Sequence, residues 1–191
     1  MKKLFLSLFL LSFLSGCSLV LIPEFDLWNK IKETVLPAPE PEPYRPLYDL
    51  NFALDYLGYH ERDNREELEQ ILRVDPVRVP WCAAFVGAIL RESGVPTTES
   101  FLARSYLKWG VEVDEPLYGD IIVFERGTED WQGHVGFYLG RIERAGVEYY
   151  MILGGNQSNG ITIQYYSTEK LIGIRRYVVD PTGLEPVTDP L

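Results

Sequence analysis

An α+β fold is predicted by two contrasting patterns in a chain of 191 residues. Up to Gly110 the apolar residues recur at helical spacing, whereas beyond it they gather in short runs rich in Val, Ile and aromatic residues. The runs are bounded by Gly, Asn, Asp or Ser, and their connections are too short for a crossover helix. That combination calls for an antiparallel sheet of about five strands with the N-terminal helices packed on it.

Over residues 46–74, Leu50, Ala53, Leu54 and Leu57, then Leu68, Ile71 and Leu72, mark two helices parted by Gly58 and the polar residues 60–64. A third helix runs from Trp81 or Cys82 to about Glu92, entered through Pro80 and stopped by Gly94 and Pro96. Its Ala83, Ala84, Phe85, Val86, Ala88, Ile89 and Leu90 are apolar nearly all round, the mark of a buried helix. A fourth helix is expected over residues 99–108, with Thr97 or Thr98 as N-cap and Gly110 just past its end. Strands are expected at residues 121–124, 134–139, 147–153, 161–165 and 172–179. The candidate catalytic domain is thus 46–179, and residues 180–191, with Pro181, Pro186 and Pro190, are expected to form a flexible tail.

Ahead of this domain, Lys2 and Lys3 precede an apolar run at 4–14 broken only by Ser7 and Ser12. Such a run is shorter than the roughly 20 residues that span a bilayer, but it suits a signal peptide. Leu14-Ser15-Gly16-Cys17 then resembles the lipobox of bacterial lipoproteins, which implies removal of residues 1–16, lipidation of Cys17 and membrane attachment. In that family a Ser at the next position, here Ser18, goes with delivery to the outer membrane, facing the periplasm. Within the linker, 17–45, Pro37, Pro39, Pro41 and Pro43 alternate with Ala38, Glu40 and Glu42, a composition that favours an extended spacer.

Composition narrows the chemistry. With 46% hydrophobic and 13% aromatic residues the chain has the material for a packed core. A formal net charge of −10 argues against nucleic acid as a partner, because phosphate binding needs clustered Lys and Arg. Only 2 Cys and 2 His are present, too few for a zinc site built from four cysteines or from three cysteines and a histidine, and no metal or cofactor is called for.

Cys82 falls in the first turn of the third helix, where the helix dipole and unpaired N–H groups favour a thiolate and a developing oxyanion. A nucleophilic Cys needs a base. His60 lies in a charged stretch with Glu61, Arg62 and Asp63 that reads as a solvated loop, whereas His134 opens a strand between Gly133 and Gly136. A third group would orient the imidazole. Asn156, after Gly154 and Gly155, is placed to do so or merely begins the turn at 156–160, and Asp120 is the other possibility or a turn residue.

Four blocks, Pro80-Trp81-Cys82-Ala83-Ala84-Phe85-Val86, Gly119-Asp120-Ile121-Ile122-Val123-Phe124, Gly133-His134-Val135-Gly136-Phe137 and Gly154-Gly155-Asn156-Gln157, occur in this order. Together they resemble the CHAP (cysteine, histidine-dependent amidohydrolase/peptidase) group of the NlpC-type papain-like peptidoglycan hydrolases. The resemblance implies a circularly permuted papain-like fold, with Cys82 as nucleophile, His134 as general base and then acid, and Asn156 as the orienting group. Many NlpC-type members carry His where Asn156 falls. Leu102-Ala103-Arg104-Ser105 is similar to a stretch near the substrate groove of one branch, so Arg104 and Ser105, with Trp81 and Trp131 as groove walls, are the expected substrate-binding residues. The implied protein is a monomeric, lipid-anchored enzyme that cleaves an amide bond in the peptide part of peptidoglycan. Two rivals stand beside it: a wall-binding lipoprotein without turnover, and a cysteine amidohydrolase acting on an amide outside the wall.

Overall fold

The computed structural model describes residues 44–179 together with the short strand at residues 186–187. The signal peptide, the lipobox with Cys17, the Pro-rich linker up to residue 43, and residues 180–185 and 188–191 of the tail lie outside the described residues. No helix among the described residues is long and apolar enough to cross a membrane.

Two short helices come first. Helix α1 (Leu50–Asp55) starts where the Asp49 carboxylate accepts the Asn51 N–H at 2.8 Å, satisfying one orphan donor of the first turn. Helix α2 (Arg65–Leu72) buries Leu68 and Leu72 and stops at Arg73, whose left-handed φ of 60° ends the helical ladder. Between them the residues 58–61 are not simply solvated. The N–H of Gly58 donates to Ile161 and that of Glu61 to Asn159, both at 2.8 Å, so this stretch lies along the sheet edge. Charge patterning misread it because the backbone, not the side chains, makes the attachment.

Helix α3 (Cys82–Glu92) is buried from Cys82 through Leu90, as its unbroken apolar face requires. The expected fourth helix is only half realised. Residues 103–108 form a 3-10 turn (Ala103–Lys108), and the preceding residues use their side chains instead of a helical ladder. Thr97 Oγ1 accepts the Glu99 N–H at 3.1 Å, Ser100 Oγ accepts the Leu102 N–H at 3.2 Å, and Glu99 sits at φ 50°. Such local bonds compete with helix, which is why Ser and Thr weaken it.

The strands are β1 (Val111–Glu112), β2 (Ile121–Glu125), β3 (Gly133–Arg144), β4 (Val147–Gln157), β5 (Gly160–Ser167) and β6 (Leu171–Arg176), with a separate pair β7 (Val178–Val179) and β8 (Pro186–Val187). The first six form one antiparallel sheet in the order β1-β6-β2-β3-β4-β5. Six strands replace the expected five because β1 carries too few residues to show a period. Strand β3 runs past residue 139, where apolar alternation ends, because its pairing with β4 continues to Arg144↔Val147. Part of the expected flexible tail is ordered, since Val178 pairs with Val187 and Val179 with Pro186. Pro is tolerated there on a two-stranded edge.

Each face of the sheet has its own core. Val123, Val135, Phe137 and Leu153 share a cluster with Trp81 and Phe85 of the α3 region. On the other face Ile122, Phe124, Tyr138, Tyr150, Ile152 and Ile174 pack together. The helix can approach strand β4 only because Gly155 has no side chain: a Cβ there would lie 2.5 Å from Trp81 Cζ3 and 2.6 Å from Phe85 Cβ. This contact sets the start of α3, and therefore Cys82, against the strands that carry His134.

Candidate active site

Cys82 lies at the first position of α3 with Trp81 as N-cap, and no side chain caps that end. The first-turn N–H groups are therefore left for a ligand or for the sulfur itself. The thiol is a free, buried group, 3% exposed. Burial pushes it above the ordinary thiol range, opposed by the backbone N–H of Val135, the positive charge of Arg126, and the N–H groups of Ala83 and Cys82. Desolvation wins, so at neutral pH the resting sulfur is a thiol.

His134 is directly opposite Phe124 in the β2–β3 ladder and is fully buried. Its ring stacks on Tyr166 of β5 with centroids 4.9 Å apart and planes 16° from parallel. Phe124 stacks on the same Tyr166, so the imidazole plane is fixed by an aromatic column. Burial pushes the Tyr166 phenol up to about 12, which keeps it neutral.

The hydrogen-bond partner of the imidazole is Gln157, not Asn156. Gln157 Nε2 donates to the Thr162 carbonyl at 2.6 Å and approaches Thr162 Oγ1 at 3.2 Å. That turns its carbonyl oxygen toward His134 Nε2, 3.0 Å away. Because the amide oxygen can only accept, Nε2 carries the proton and Nδ1 is the acceptor. Burial pushes His134 down to about 4; the Gln157 bond opposes the fall and the Arg126 charge adds to it. Nδ1 faces Arg126 Nη1 at 3.5 Å. No hydrogen bond joins Cys82 to His134 in this resting arrangement of neutral thiol and neutral imidazole.

The exchange of Asn156 for Gln157 has a local cause. The β4–β5 register shifts between Gly154 and Gln157, with one extra residue on β4, and Asn156 takes φ 55°. A bulge of this kind re-aims the side chain that follows it. Gln157 thereby turns under His134, while Asn156 lines the cleft above. The turn itself falls at Ser158 and Asn159, at φ 55° and 64°, rather than beginning at residue 156. Asp120 is committed elsewhere: fully buried, it accepts from Arg176 Nη2 at 2.6 Å and from the Leu117 N–H at 2.7 Å.

A cleft of about 680 Å³ opens over Cys82, walled by Val79, Pro80, Phe101, Leu102 and Trp131, with Arg126 and Asn156 on its lining. Trp131 is 59% exposed and Phe101 54%, so the rim offers apolar surface to an incoming molecule. The other residues expected at a groove serve different ends. Trp81 is fully buried and its indole N–H points to Glu61 Oε2 at 3.3 Å, because it forms part of the core under α3. Arg104 Nε donates to the Gln132 carbonyl at 2.6 Å, and Gln132 Oε1 accepts from Thr128 N–H, so Arg104 braces the loop that carries Arg126 and Trp131. Ser105 spends its hydroxyl on Thr98 and the Leu102 carbonyl. His60 bridges Gly160 through its backbone and turns Nδ1 to Asp63, 3.8 Å away.

A second depression of about 700 Å³ runs along residues 44–51 with Tyr118 and contains neither Cys nor His. Among the described residues no three His, Cys, Asp or Glu side chains are grouped to hold a metal ion. Arg126, Tyr166 and Gln157 are not among the site residues expected from the sequence. Only Gln157 carried a signal, as the neighbour of an Asn after two Gly, where a positive φ is easiest.

No family model matches the chain, and no curated protein matches it either.

Proposed function

We propose that the chain is a papain-like cysteine hydrolase of the CHAP type, lipid-anchored through Cys17, facing the periplasm, and acting on a peptide amide of peptidoglycan. The observation that carries the chemical part is a thiol at a helix N-terminus on the lining of a cleft, with Arg126 on the same lining and facing a histidine whose tautomer is fixed by Gln157. The wall substrate and the anchor rest on the four sequence blocks and the lipobox.

In this mechanism the Cys82 sulfur bonds to the substrate carbonyl carbon while its proton passes to His134 Nδ1. The oxyanion meets the N–H groups at the start of α3. Collapse breaks the C–N bond, the imidazolium gives its proton to the departing amine, and a thioester remains. Water, deprotonated by His134, then attacks the thioester, releasing a carboxylic acid and restoring the thiol. Gln157 keeps the ring in the useful tautomer and accepts from Nε2–H throughout.

Purified sacculi incubated with the protein should release muropeptides identifiable by mass spectrometry, and Cys82→Ala should abolish the release. Release that survives Cys82→Ala would refute the mechanism. The apolar walls at Val79, Phe101, Leu102 and Trp131 favour one second reading, hydrolysis of an amide with a bulky apolar acyl group outside the wall. Turnover of such acyl amides with no sacculus activity would select it.

A further inference from the structure

Arg126 stands out by its place. Several arginines of the fold pair with no carboxylate among the described residues, but Arg126 is the one arginine on the lining of the Cys82 cleft, and its guanidinium faces His134 Nδ1 at 3.5 Å. It is exposed, lines the same cleft as Cys82, and that lining contains no Asp or Glu. In a chain of net charge −10, the one charged side chain on the lining that carries the nucleophile is a cation. The loop that carries it is held by Arg104 and Gln132, so the guanidinium is presented from a braced turn.

From this geometry we infer that Arg126 is a specificity-determining residue that takes a free carboxylate of the substrate next to the carbonyl attacked by Cys82. The inference rests on the hydrolase reading for its scissile bond, but not on the identity of the wall as substrate. A planar guanidinium receives a carboxylate through two parallel N–H bonds, a geometry an amide or hydroxyl does not offer. Apolar walls on Phe101, Leu102 and Trp131 then hold the remainder of the substrate. The same engagement has a consequence for the base. A carboxylate that draws Arg126 to itself offsets the positive charge facing Nδ1 and leaves that nitrogen free to receive the thiol proton. An acyl group bearing an acid near the scissile amide is thereby both bound and helped to react.

The test needs no substrate. Iodoacetate and iodoacetamide both alkylate Cys82, the sulfur bonding to the CH2 carbon as iodide departs, and they differ only in carrying a carboxylate or a neutral amide. The ratio of their rates therefore cancels any change in thiolate fraction and isolates attraction of the anion. Relative to wild type, R126Q should lower the iodoacetate-to-iodoacetamide ratio about tenfold or more, R126K should retain part of it, and R126E should fall below R126Q. A ratio unchanged within about twofold across the series would overturn the assignment, since the attraction a cation exerts on an incoming anion would then be missing at this position. Sacculi that release nothing while the ratio follows this series would defeat the wall-hydrolase reading and leave the carboxylate site standing. Sacculi digested by a protein whose ratio ignores Arg126 would do the reverse.

Discussion

Replacing Gln157 by Leu keeps the side-chain volume but removes the oxygen that accepts from His134 Nε2–H at 3.0 Å. In the transition state for thiol attack the imidazole is charged, and a buried hydrogen bond from a charged donor is worth about 1.5–3 kcal/mol. At about 1.4 kcal/mol per decade, kcat/KM should fall roughly 10- to 150-fold. Turnover on sacculi gives one readout, and the 15N resonances of the imidazole give another that does not depend on substrate. The chain has only 2 His, so His134 is readily separated from His60. Wild type should show the Nε2–H tautomer, and Gln157→Leu should lose that preference. Gln157→Glu supplies a carboxylate at the same oxygen, so the imidazolium is favoured, His134 rises from about 4, and the acid limb of activity moves to higher pH. Asn156→Gly, which removes a cleft-lining amide without touching the imidazole bond, should cost less than Gln157→Leu. Full activity with an unaltered tautomer in Gln157→Leu, or a larger loss from Asn156→Gly, would refute the assignment of the orienting role.

Three further outcomes follow from the same geometry. His134 protonates near 6.5 when unfolded and about 4 when folded, so the unfolded chain binds the extra proton first and stability falls as pH drops through that window. The loss should reach about 3 kcal/mol in urea titrations below pH 4 and be missing from His134→Gln; equal pH slopes for the two proteins would count against it. Because burial holds Cys82 above the ordinary thiol range, its alkylation by iodoacetamide should climb about tenfold per pH unit from about pH 6 to 9, whereas a plateau near neutrality would signal a resting ion pair. Gly155→Ala forces a Cβ to 2.5 Å from Trp81 Cζ3, which should cost about 1–3 kcal/mol in thermal or urea unfolding, and an unchanged midpoint would show that α3 can retreat.

Much of the architecture could be read from local pattern. The span of α3, the buried Cys82 at its start and the antiparallel sheet after Gly110 follow from hydrophobic period, Pro and Gly punctuation, and the shortness of the connections. These are effects of residues within a few positions of one another, which is what a single sequence displays. The fourth helix was misread because period alone does not register Ser and Thr side chains that bond their own backbone. Strand ends were misplaced because β3 continues through polar residues that still pair with β4.

The site divides along the same line. That Cys82 and His134 are the candidates for the chemistry was legible from a residue inventory of 2 Cys and 2 His and from the helix-start position of Cys82. What only the tertiary structure decided was the company they keep. One extra residue in β4 gives the imidazole to Gln157 rather than Asn156, and a bulge is fixed by register with the neighbouring strand. Tyr166 from β5 and Arg126 from the end of β2 reach His134 across the sheet, and the buried Trp81 exchanges a groove for the core. Period, caps and turns are local and survive in the sequence. Which side chain faces which depends on pairings between segments far apart in the chain, and those exist only once the sheet has closed.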